Sequence, residues 1–218
     1  MFDFLKKFID KFKQKRKFKK ALKDLNQGNY ERSEKILLNL VNSEFLDLKM
    51  VYFNLASALM GNEKFGQAES YLKKAVNKKD DIDFLWGTLG EVYILQEKWQ
   101  PAEEALKRAI DLNPEKEAYK TKLTIVRGNE ETKNDYLKYY SLVKKAINLQ
   151  KEEKWKQSIE TFKKALEYNN TIGYAYNQIG AIYNNKLNNS DQAVKYFKMA
   201  LQKEPNNKMF KTNLKRAK

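Results

Sequence analysis

Apolar residues along this chain recur at intervals of three and four, with charged and amide residues filling the positions between them. That spacing is one face of an α-helix, and it persists over almost the whole sequence. Eight glycines and three prolines in 218 residues leave room for short turns only, so the pattern predicts helices nearly throughout. Aromatic residues mark where alternate helices open. Tyr30, Phe65, Trp99 and Trp155 follow one another at steps of 35, 34 and 56 residues, the last step being one period plus 22 residues.

The third copy is the sharpest: Trp86, Leu89, Gly90 and Tyr93, then Trp99, Ala102, Leu106, Ala109 and Pro114. It resembles the tetratricopeptide repeat, a 34-residue helix-turn-helix with bulky and small residues at set places. The second copy is similar through Tyr52, Leu55, Ala56, Leu59, Phe65, Ala68, Leu72 and Ala75, with Asp80 where proline would stand. The last is similar through Tyr176, Ile179, Gly180, Tyr183, Ala193, Phe197, Ala200 and Pro205, though its inter-helix stretch 184–190 runs one residue long. Two further copies are degenerate, around Phe18, Ala21, Tyr30 and Leu37, and around Leu142, Ala146, Trp155 and Phe162. Small residues such as Gly90 with Ala102, or Gly180 with Ala193, are expected to let paired helices approach, while Trp86 and Tyr93 fill the gap toward the next repeat.

The resemblance implies an all-α fold, a right-handed superhelical array of about five helix-turn-helix repeats with capping helices. The stretches 118–123 and 209–214 follow Pro114 and Pro205 in parallel fashion and look like the extra helices that cover the open end of such an array. The expected organisation is an amphipathic basic helix at 1–13, three repeats plus a cap over 14–127, a polar linker at 128–134, and two repeats plus a cap over 135–218. One continuous superhelix, with 116–127 as an irregular helix, is the alternative.

A scaffold of this kind lines a concave groove with its first helices and takes a protein or peptide segment there. By that resemblance the groove presents Met50, Phe53, Asn54, Ser57, Phe84, Thr88 and Glu91 in the first half, and Tyr140, Val143, Tyr174, Asn177, Gln178 and Ala181 in the second. Chaperone-adaptor repeats hold a terminal carboxylate with lysines, asparagines and an arginine. Here only Asn54 falls at such a place, the others being Phe18, Leu22, Phe84 and Thr88, so that ligand is disfavoured.

Composition narrows the chemistry. The chain has no Cys and no His, which excludes thiol and imidazole nucleophiles, zinc fingers and haem ligation. Adjacent acids such as Glu103 and Glu104 point about 100° apart on a helix and cannot converge on one substrate. No glycine-rich phosphate loop is present, and neither a cofactor nor a metal is expected. The reading is a non-catalytic adaptor, cytoplasmic, and peripheral to the membrane if its N-terminal helix binds lipid.

Charge adds a rival. The formal net charge of +15 is concentrated at the two ends, with residues 24–128 nearly neutral. A basic surface bearing Tyr139, Tyr140, Tyr174 and Tyr176 is therefore an alternative site, for nucleic acid. Finally, Phe2, Phe4, Leu5, Phe8, Ile9 and Phe12 fall on one arc of a helix, with Asp3, Lys6, Lys7, Asp10, Lys11 and Lys13 outside it. The next stripe, Phe18, Ala21, Leu22 and Leu25, points elsewhere, so the first needs its own partner. An anionic membrane surface, a second chain, and the flank of the array after a bend are the three candidates, the last being the simplest.

Overall fold

The turns between helices show why this sequence folds as it does. In the computed structural model, which describes residues 2–76 and 82–217 and the backbone alone of residues 2–4, the paired helices are joined by turns holding one residue with positive φ: Gly28, Glu63, Glu97, Glu153 or Asn188. Each lies two residues before the opening residue of a second helix: Tyr30, Phe65, Trp99, Trp155 or Ser190. The amide after the left-handed residue reaches back over the helix end. Asn29 donates to the Asp24 carbonyl, Lys64 to Leu59, Lys98 to Tyr93 and Lys154 to Leu149, each five residues earlier. This satisfies carbonyls that the helix end would otherwise strand. In the last pair Asn189 donates to Tyr183, six residues back, which is the extra residue of the 184–190 stretch.

Among the described residues the chain is all-α, with twelve helices. Its contacts divide it into two compact units, Met1–Leu112 and Asn113–Lys218. The first holds three helical pairs: α1 (Phe2–Asn26) with α2 (Tyr30–Leu38), α3 (Leu48–Gly61) with α4 (Phe65–Val76), and α5 (Asp83–Leu95) with α6 (Trp99–Leu112). Successive pairs join through α2 on α3 and α4 on α5. The second unit holds α7 (Glu117–Arg127), then α8 (Glu130–Lys151) with α9 (Trp155–Tyr168), α10 (Gly173–Asn185) with α11 (Ser190–Lys203), and α12 (Lys208–Ala217).

Each of the five pairs has a small residue at the same place on each of its helices. On the first helices it is Ala21, Ala56, Gly90, Ala146 and Gly180, and on the second Ser33, Ala68, Ala102, Ser158 and Ala193, all buried. The two degenerate copies carry serine where the others carry alanine. Ser33 Oγ donates to the Ala21 carbonyl and Ser158 Oγ to the Ala146 carbonyl, both at 2.9 Å, so the buried hydroxyl is satisfied across the pair. Gly90 does more than face Ala102: a Cβ built on it would lie 2.8 Å from Leu106 Cγ and 3.5 Å from the Ala102 carbonyl oxygen. Gly180 is covered in the same way by the Phe197 ring. Tyr93 is buried as expected of a residue filling the gap between repeats, whereas Trp86 is only half-buried.

Three expectations differ from the structure. Residues 130–134, read as linker, are the opening turns of α8, because Asn129 caps that helix by accepting from the Thr132 amide and Glu130 and Glu131 sit favourably at its positive end. The helix Glu117–Arg127, expected to close the first array, groups with the second unit and packs on α8. No break separates residues 2–13 from the first repeat, since α1 runs unbroken from Phe2 to Asn26. The simplest reading of that segment, a return onto the flank of the array, is thereby corrected. Asp80, at the proline place of the second copy, lies outside the described residues.

Candidate functional site

The first-helix residues of the first unit gather as their spacing requires. Met50, Phe53, Asn54 and Ser57 share about 100° of the circumference of α3, and Phe84, Thr88 and Glu91 share one side of α5. The two sets meet where the Phe53 and Phe84 rings pack edge to face, centroids 4.8 Å apart and planes at 68°. Such a pair is favoured by the ring quadrupoles. Both rings stay partly exposed, as do Met50, Ser57, Thr88 and Glu91.

The polar members turn back to their own helices. Ser57 Oγ donates to the Phe53 carbonyl at 3.0 Å and Thr88 Oγ1 to the Phe84 carbonyl at 2.7 Å, so each hydroxyl holds the turn beneath a ring and offers its lone pairs outward. Asn54 is buried and donates to the Met50 carbonyl at 2.7 Å. That corrects its place in the groove set: its amide braces α3.

In the second unit Tyr140 on α8 and Tyr174 and Gln178 on α10 are half-buried. Asn177 is almost wholly buried and accepts from Asn213 Nδ2 of α12 at 2.9 Å. The closing helix therefore covers this position, and Asn177 is a packing residue. Val143 is buried as well and Ala181 is half-buried. Tyr139, Tyr140's neighbour, is buried and stacks on Tyr136 with centroids 6.2 Å apart.

A set of charged contacts escaped the sequence reading. Glu69 on α4 accepts from Lys73 Nζ at 2.6 Å, Lys98 Nζ at 2.7 Å and Gln96 Nε2 at 3.0 Å. Burial pushes its carboxyl upward, but the donors Lys73, Lys98 and Gln96 together outweigh that and hold it at about 2. Glu34 on α2 repeats the arrangement one period earlier, accepting from Asn62 Nδ2 at 2.6 Å and Lys64 Nζ at 2.7 Å. The signal was present: a Glu four residues after the aromatic opener, and an amide-x-Lys in the turn of the following pair. These carboxylates join successive repeats.

The N-terminal stripe is where its periodicity put it. Leu5, Phe8, Ile9 and Phe12 are all exposed on α1, while the side chain of Phe4 lies outside the described residues. No helix among the described residues is long and apolar enough to cross a membrane. Among the same residues no three acidic, His or Cys side chains gather as metal ligands would.

No curated protein matches the sequence. Solved structures do. MamA of MSR-1 aligns at 17% identity over 88% of this chain and 97% of that one, with a TM-score of 0.47. A second structure, described as a crystal structure of MamA protein, aligns at 23% identity over 88% and 92%, with a TM-score of 0.48. The model of the tetratricopeptide repeat matches residues 51–77, 85–116 and 173–207, which are the three copies with the fullest set of marker residues. The two copies it passes over are those with Ser33 and Ser158 in place of alanine, and both fold into the same pair. With five helical pairs that each carry small residues at the same two places, three of them matched by the repeat model, the chain is a tetratricopeptide-like repeat protein.

Proposed function

We propose that the chain is a non-catalytic adaptor that binds a protein segment on the first-helix face of its first unit. The observation that carries this is the Phe53–Phe84 pair, which bridges α3 and α5 while leaving both rings partly open to solvent. Two large aromatic side chains on successive repeats form an apolar ledge that an aliphatic or aromatic side chain of a ligand can cover, and such anchors supply most of the energy of an interface. Ser57 and Thr88 beside them provide acceptors for a peptide backbone, and Glu91 adds one negative charge.

Phage-displayed peptides selected on the wild-type protein provide the test. Phe53→Ser with Phe84→Ser is expected to abolish their capture while far-UV circular dichroism keeps its helical signal. Equal capture by the double variant refutes the site.

A nucleic-acid surface is less well supported, because Tyr139 and Tyr176, two of its four candidate stacking residues, are buried. The exposed stripe of α1 supports a second contact for the same scaffold, peripheral attachment to a surface.

A further inference from the structure

The side of α1 that carries the stripe changes character along its length. At 100° per residue Leu5, Phe8, Ile9 and Phe12 lie within an arc of about 100°. Their exposures are 55, 62, 42 and 66%. The residues by which α1 holds its own repeat sit roughly 160° away around the axis: Gln14, which accepts from Ser43 Oγ, then Phe18, Ala21 and Leu25. The stripe thus faces directly away from the repeat that anchors the helix. Continuing along the same outward side, the next turns carry Lys15, Arg16, Lys19 and Lys23, all exposed. One unbroken face is apolar over its first turns and cationic over the following ones, with about 16 Å between Phe8 and Lys19 at 1.5 Å per residue.

We infer that this face docks on an anionic lipid surface, with Leu5, Phe8, Ile9 and Phe12 entering the boundary between headgroups and acyl chains and Lys15, Arg16, Lys19 and Lys23 meeting the phosphates behind them. The inference rests on the peripheral-contact reading of α1 and is independent of the aromatic pair on α3 and α5. Charge selects the occupant. Between residues 5 and 23 there are ten cations and a single acid, Asp10, and nine of the ten cations are lysine. Lysine is depleted at protein–protein interfaces, whereas each one near an anionic leaflet strengthens attachment by about five-fold. Large apolar side chains flanked by lysine, on a helix too polar to cross the bilayer, match a helix that lies in the interface.

The experiment is co-sedimentation of the full chain with vesicles of phosphatidylcholine alone and of phosphatidylcholine with phosphatidylserine. Binding is expected only to the anionic vesicles at low salt, falling by more than ten-fold at about 0.5 M salt. Phe8→Glu with Phe12→Glu should lower that binding more than ten-fold, as should Lys15→Glu with Arg16→Glu and Lys19→Glu, with helicity unchanged because all five side chains are exposed. The variant Phe53→Ser with Phe84→Ser should sediment as the wild type, which separates this result from the fate of the groove. Failure to bind anionic vesicles at low salt overturns the inference. So does equal binding to neutral vesicles, or a concentration-dependent mass without vesicle binding that Phe8→Glu removes, which would make the face a contact between copies.

Discussion

Gly90 and Gly66 provide a controlled pair for testing the close helix approach inside a repeat. Both are helical, on α5 and α4, so changing either to alanine should gain up to about 1 kcal/mol from the reduced backbone freedom of the unfolded chain. Their surroundings differ. A Cβ at Gly66 meets nothing within 4 Å, whereas one at Gly90 lies 2.8 Å from Leu106 Cγ and 3.0 Å from Leu106 Cδ2. Leu106 is fully buried, and the crowded atom is its branch point, so relief requires moving the whole side chain. Overpacking of that kind costs about 1–3 kcal/mol. Gly66→Ala should therefore stabilise by about 0.5 kcal/mol, allowing for its place in the first turn of α4, and Gly90→Ala should destabilise by about 0.5–2 kcal/mol. Urea unfolding followed by circular dichroism at 222 nm measures both. In a Leu106→Ala background, itself about 2–5 kcal/mol less stable, the Gly90→Ala penalty should vanish, giving a coupling energy of about 0.5–2 kcal/mol. Equal shifts for the two glycine variants, or no coupling to Leu106, would refute the packing argument.

Glu69 should make stability depend on acid. Its folded value of about 2 lies below the ordinary 4.5, so its contribution is present above pH 4.5 and is lost as pH falls toward 2. Glu69→Gln should cost about 1–2 kcal/mol at pH 7, the exposed lysine partners keeping it modest, and nothing near pH 2; a gap that stays constant across urea titrations in that range would count against it. Glu97, held at a φ of 56°, carries a conformational strain that glycine would not, so Glu97→Gly should raise the unfolding free energy measured in urea by about 0.5–1 kcal/mol. A loss of more than about 1 kcal/mol would mean that its side chain carries the turn.

The repeat frame could be read from the chain because it rests on residues whose spacing has one geometric solution. Tyr30, Phe65, Trp99 and Trp155, picked out as markers, are the first residues of α2, α4, α6 and α9. The serine copies were harder to see, since Ser33 and Ser158 look polar in sequence and become core residues only through a hydrogen bond to a carbonyl on the partner helix. The supposed linker at 128–134 was misplaced for a related reason: Asn129, Glu130, Glu131 and Thr132 are polar because they cap and open a helix. Groove residues were the least legible. Periodicity puts Asn54 and Asn177 on the right helices, but only coordinates reveal that one amide is spent on its own backbone and the other is covered by α12.

The two glutamate junctions bear on how a chain of this kind lengthens. The pair α3–α4 carries donors at its turn, Asn62 and Lys64, and an acceptor farther on, Glu69. A tandem duplicate of that segment would present its own Asn62 and Lys64 to the Glu69 of the copy before it, remaking the carboxylate, amide and ammonium contact with no further mutation. At Glu103, the corresponding place in α6, the carboxylate pairs with Lys107 one turn along its own helix, at 2.9 Å. Because this repeat brings both halves of its joint, gene duplication can add a copy of it without waiting for an interface to evolve.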